Sequence, residues 1–178
     1  MIAPVLRVAA LLLLLAPMAL AVAATAEGFF DQTLGDFQED LETARAEGKQ
    51  GILIMFETDD CPFCHRMKKS VLSQPEVQAY FKKHFLVLSL DIEGDVEITD
   101  FKGRTVSEAD FAFKQYRVRA TPVFGFFDLD GNMVARYTGA TSSKDEFMWL
   151  GEYVVEGAFK KMSFSRYKRQ RRQTGKRR

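Results

Sequence analysis

The sequence predicts an α/β protein with a central mixed β-sheet flanked by helices and a small insert before the third helix. Three observations predict it. Two apolar runs of strand length, Gly51 to Phe56 and Phe85 to Ile92, lack polar alternation, as strands covered on both faces do, and helical sequence lies between them. Two later strand-like runs are joined by a glycine-containing turn, which marks a hairpin. Capped amphipathic segments stand before the first strand and after the last. A crossover from strand through helix to parallel strand, then a hairpin and a covering helix, gives one sheet with helices on both sides.

The first helix opens at Asp36, an N-cap with Glu39 at the third helical position; Phe37, Leu41 and Ala44 follow at helical spacing, and Gly48 ends it. The strand Gly51 to Phe56 ends just before Cys61. After Cys64 the segment His65 to Leu72 is helical, with Met67, Val71 and Leu72 on one side and bases on the other. Ser73 or Gln74 then caps a continuation through Val77, Tyr80 and Phe81, with Pro75 tolerated in its first turn. Residues 94–106 read as a small hairpin or irregular insert turning at Lys102-Gly103. A third helix begins at Ser107 and carries Ala112, Phe113 and Tyr116, the phenylalanines from Phe111 to Phe127 being at core periodicity. The hairpin pairs Val123 to Phe127 with Met133 to Tyr137. Ser143 and Glu146 form a capping box for a last helix through Phe147, Leu150, Val154 and Phe159.

At 178 residues and 47% hydrophobic content, one core plus terminal extras is the economical organisation. Residues 1–26 hold one base, Arg7, no acid, an apolar run from Val8 to Ala24 and small residues at its end, the pattern of a secretory signal peptide cleaved after Ala23 or Ala26. Residues 27–159, the expected domain, carry 24 acids against 14 bases. Residues 160–178 carry ten Lys or Arg and no acid, and are expected to be a disordered basic tail. Such a tail suits a solvated extension, an anionic membrane surface or an acidic partner. Nucleic acid does not fit an exported, acidic body.

The two cysteines, Cys61 and Cys64, are three positions apart. A structural disulfide normally closes a long loop, so this spacing suits a reversible redox pair better. Cys61 falls where a strand hands over to a helix, and the backbone N–H groups of a helix start favour its thiolate. Cys64, one turn on, is placed to attack a mixed disulfide formed on Cys61. The same residues with His65 read C-x-x-C-H, the attachment motif of c-type haem, so a haem or metal carrier is the competing reading.

The stretch Met55 to Cys64, with Cys61-Pro62-Phe63-Cys64 followed 57 residues later by Thr121-Pro122, resembles the thioredoxin superfamily. More narrowly it resembles exported thioredoxin-like proteins of the SoxW type, which share the C-P-aromatic-C motif, a polar insert before the third helix and the strand pattern of Thr121 to Asp128. The similarity runs from about Phe29 to Phe159. It implies that Cys61 is the nucleophile, Cys64 the resolving thiol and the two a disulfide when oxidised. It also implies that Pro122 is a cis proline facing them, with Thr121, Pro62 and Phe63 contacting substrate. The implied activity is reduction of disulfides in partner proteins in the periplasm, without a cofactor, by a monomer that takes electrons from a membrane thiol carrier. A disulfide oxidant of the same fold is the alternative direction. Two positions depart from the pattern: Met55 stands six residues before Cys61, where many relatives have a buried carboxylate, and Asp60 replaces the usual tryptophan. The proton acceptor for Cys64 is thus left open between Glu57 and water.

Overall fold

The computed structural model describes residues 25–175; the apolar leader through Ala24 and the final Lys176, Arg177 and Arg178 lie outside them. After a 3-10 turn at Ala26–Phe29, the elements run α1 (Phe37–Ala46), β1 (Gly51–Glu57), α2 (Pro62–Met67), α3 (Pro75–His84), β2 (Phe85–Asp91), β3 (Glu97–Thr99) and β4 (Thr105–Ser107). Then come α4 (Glu108–Asp110), β5 (Val123–Asp128), β6 (Met133–Thr138), α5 (Lys144–Val155) and α6 (Phe164–Gly175). Both α2 and α4 widen into π-helical turns, Lys68–Leu72 and Phe111–Gln115.

The main sheet has the order β2-β1-β5-β6. β1 runs parallel to β2 and antiparallel to β5, so the expected mixed sheet is present. The central strands alternate between two cores, as strand geometry requires. Leu53, Met55, Phe124 and Phe126 join Phe81, Phe147 and Leu150 on one face. Ile52, Ile54, Phe56 and Val123 join Phe37, Leu41 and Phe111 on the other. The insert is a two-stranded hairpin, β3 with β4. It is pinned by Asp100, 1% exposed, which accepts the backbone N–H groups of Lys102 and Arg104, the Arg104 guanidinium and the Gln115 amide.

Local chemistry accounts for the ends of the helices. Asp36 accepts the N–H groups of Gln38 and Glu39, and Ser143 accepts that of Glu146. Gln74 caps α3 through its backbone alone, with Pro75 first in the helix. α5 stops at Val155, because Gly157 turns the chain at φ 66°, so Phe159 belongs to a separate 3-10 turn rather than to the last helix. Where α5 crosses α3 the helices approach so closely that a Cβ at Gly151 would lie 2.8 Å from Cζ of Phe81.

The basic tail differs from the expectation of disorder: Phe164–Gly175 form α6, docked on α5. Tyr167 is 5% exposed and donates its hydroxyl to Glu156, Lys168 Nζ lies 2.6 Å from Glu146 Oε1, and Arg171 pairs with Glu152. The bases that read as a solvated run are partly neutralised by acids about twenty residues earlier. Phe113 also departs from its expected core role, being 52% exposed beneath the Arg119 guanidinium.

Candidate functional site

β1 ends at Glu57, a short turn follows, and Cys61 becomes the N-cap of α2 with Pro62 as its first residue. Proline is preset for that position and lacks the N–H that a first turn leaves unpaired. The cap is made by the cysteine itself, because Cys64 N–H donates to Cys61 Sγ at 3.0 Å. Cys61 and Cys64 form a disulfide with Cα atoms 5.2 Å apart. Cys64 is fully buried, whereas Cys61 keeps 4% exposure, so Cys61 is the outer member of the pair.

The Thr121-Pro122 bond is cis, as the resemblance implied. Val123, the next residue, pairs with Phe56 at the end of β1, which brings Thr121 and Pro122 to the sheet edge where the cysteine turn begins. Pro122 is buried and accepts the Gly139 N–H at 2.8 Å, while Thr121 is half-buried. Among the described residues, none hydrogen-bonds the backbone N–H or C=O of Thr121, which leaves both groups available for strand-like pairing with an extended peptide. Gly139 is the residue that sequence reasoning missed. Its φ of 97° favours glycine, and its N–H is the donor that holds the carbonyl of the cis proline. The Tyr137-Thr138-Gly139 strand ending was the only available signal.

Pro62 and Phe63 are exposed on the first turn of α2, Phe63 by 56%, and the Arg66 guanidinium lies 5.2 Å from the Phe63 ring centre. His65 is exposed on the same helix, while both sulfurs belong to the core beside Met55 and Met67. Among the described residues, no three His, Cys, Asp or Glu side chains converge as metal ligands would.

Met55 is fully buried on the cysteine side of the sheet, so a thioether occupies the place where many relatives have a carboxylate. Two residues on, Glu57 accepts the Ser89 hydroxyl and lies 2.7 Å from Lys68 Nζ. Lys68 follows Cys64 by one helical turn and donates its backbone N–H to the Cys64 carbonyl. The partly shielded Glu57–Lys68 ion pair is thus anchored one turn beyond Cys64. Asp59 and Asp60 are exposed in the turn before Cys61.

A family model described as a thioredoxin-like domain matches residues 37–155. Comparison with curated protein sequences finds no match. Among solved structures, a thioredoxin-fold protein from Helicobacter pylori is 20% identical with a TM-score of 0.61, the match covering 82% of this chain and 92% of that one. A thioredoxin from Thermus thermophilus is 28% identical with a TM-score of 0.52, over 66% of this chain and 82% of that one.

Proposed function

Because the chain belongs to the thioredoxin-like domain family, we propose that it is an extracytoplasmic thiol–disulfide oxidoreductase that reduces disulfides in partner proteins. A thioredoxin fold carries a Cys61-Pro62-Phe63-Cys64 disulfide, an arrangement consistent with thiol–disulfide chemistry. The observation that carries the reading further is the asymmetry of the pair. Cys61 is the less buried of the two and its sulfur receives an N–H, while Cys64 is fully buried one turn behind it.

In the reduced protein the Cys61 thiolate attacks one sulfur of the partner's disulfide. A mixed disulfide forms, and the other partner sulfur leaves as a thiolate that takes up a proton. The Cys64 thiol then loses its proton and attacks Cys61 Sγ; the Cys61–Cys64 disulfide forms and the second partner thiol is released. The partner gains two electrons and two protons, and this chain loses two electrons, the Cys64 proton and the proton already given to solvent when the Cys61 thiolate formed. A dithiol donor, which we assign to a membrane thiol carrier, returns them. Thr121, Pro122, Pro62 and Phe63 hold the partner strand across this corner. Glu57, tied to Lys68, is assigned as acceptor of the Cys64 proton, because it is the carboxylate anchored on that helix in place of the missing one at Met55.

The location rests on the leader sequence, whose removal would leave a chain beginning near Glu27 and working as a monomer. The SoxW-type pattern favours the reducing direction; a disulfide oxidant uses the same atoms in reverse. The haem- or metal-carrier reading loses support, since the Cys61-to-His65 motif follows a buried central strand of a thioredoxin fold and His65 is exposed. The direct test is insulin reduction with dithiothreitol as donor. Acceleration by the protein and none by Cys61→Ser supports exchange through Cys61, whereas equal rates with both proteins contradict it.

A further inference from the structure

α6 divides its cations between two jobs. Tyr167, Lys168 and Arg171 face α5 and are held there, Tyr167 by burial and a hydrogen bond to Glu156, the two bases by Glu146 and Glu152. Arg166 and Arg169, three residues apart on the opposite side, are exposed, and Gln170 and Gln173 share that face with them. Lys160 and Lys161, exposed on the preceding turn, extend the same positive region. No acid occurs from residue 160 onward, while residues 27–159 hold all 24 of the chain's acids. The molecule therefore has a positive end and a negative body.

We propose that the outer face of α6 is an interaction surface for an anionic lipid bilayer. Charge complementarity and the character of the face argue for it. A protein–protein interface normally centres on buried aromatic anchors, with arginine beside them, and the Arg166, Arg169, Gln170 and Gln173 face has no aromatic or aliphatic side chain among these four. Such diffuse positive charge suits a fluid layer of phosphate headgroups, to which each base near the surface contributes separately. The acidic body is repelled by the same surface, which orients the protein with α6 toward it. The inference is independent of the redox reading, and its failure leaves that reading intact.

The test is co-sedimentation of residues 25–178, which contain both cores and every described element, with vesicles of equal parts phosphatidylcholine and phosphatidylglycerol. Binding is expected to the mixed vesicles and not to pure phosphatidylcholine, and to weaken as salt rises. Arg166→Ala with Arg169→Ala should lower partitioning about thirtyfold, the worth of two bases near an anionic surface, with an unchanged circular dichroism spectrum. Lys160→Ala with Lys161→Ala, outside the helix, provides a second reading should the first pair unfold it. Equal binding to both vesicle types, or undiminished binding by a folded variant, would overturn the proposal. Tighter binding to poly-glutamate than to the phosphatidylglycerol vesicles would also overturn it, in favour of an acidic protein partner.

Discussion

Cys64 donates its backbone N–H to Cys61 Sγ at 3.0 Å, so the backbone of one cysteine supports the sulfur of the other. The donor is a backbone N–H, so the bond survives replacement of the Cys64 side chain, whereas its acceptor is the Cys61 sulfur itself. Cys64→Ser should therefore still attack a partner disulfide but stop at the mixed disulfide, which a non-reducing gel shows as a covalent adduct. Cys61→Ser should form none. Adducts through Cys64 in the Cys61→Ser protein would reverse the assignment.

If Glu57 accepts the Cys64 proton, Glu57→Gln should leave the first attack intact and slow the release of the mixed disulfide by about tenfold or more, within the range of general-base effects. Stopped-flow alkylation of the two steps separates them. Equal slowing of both steps would mean that the Glu57–Lys68 pair serves only to hold α2 in place.

Asp100 shows what the insert depends on. Burial opposes its ionisation more than any single partner favours it, yet the Arg104 and Lys102 N–H groups, the guanidinium and Gln115 together hold its pKa at about 2. A depressed carboxyl contributes stability that is fully present above its unfolded pKa of about 4 and lost as pH falls toward about 2. Asp100→Ala should cost about 2 kcal/mol at neutral pH and remove that part of the acid sensitivity, as measured by urea unfolding across pH. An unchanged acid profile would show that other carboxylates dominate it.

Gly151 sets two effects of opposite sign against each other. Alanine within a helix is favoured over glycine by about 1 kcal/mol. Here the added Cβ would meet the Phe81 ring at 2.8 Å, and forcing a methyl group into a close-packed core costs about 1–3 kcal/mol. Packing should win, so Gly151→Ala is expected to lower the denaturation midpoint. A raised midpoint would show that α3 can yield.

The docking of α6 is tested by Tyr167→Ala. Losing a buried aromatic costs about 3 kcal/mol, enough to free a peripheral helix while the body remains folded. Trypsin should then cut at Lys168 and Arg171 well before it cuts the native protein there. Equal cleavage rates would mean that α6 is already loose.

The mixed sheet, its crossover and hairpin, and the cysteine corner were legible because their signals are local: unbroken apolar runs, a glycine turn, capping residues and a three-residue cysteine spacing. α6 was not, because the acids that neutralise Lys168 and Arg171 belong to α5 and meet them only in the fold. Phe113 fits the core spacing, yet the π-helical turn that carries it rotates the register and leaves it outside beneath Arg119. Gly139 escaped notice for a similar reason, since its tie to Pro122 joins segments that only the β5–β6 pairing brings together.

The reduction potential of the Cys61–Cys64 pair, read by thiol alkylation in dithiothreitol and glutathione buffers, tests the central claim most directly. A dedicated reductant should equilibrate near the thioredoxin value of about −270 mV, from which most partner disulfides can be opened. A value near about −120 mV would contradict the account and make the chain a disulfide donor.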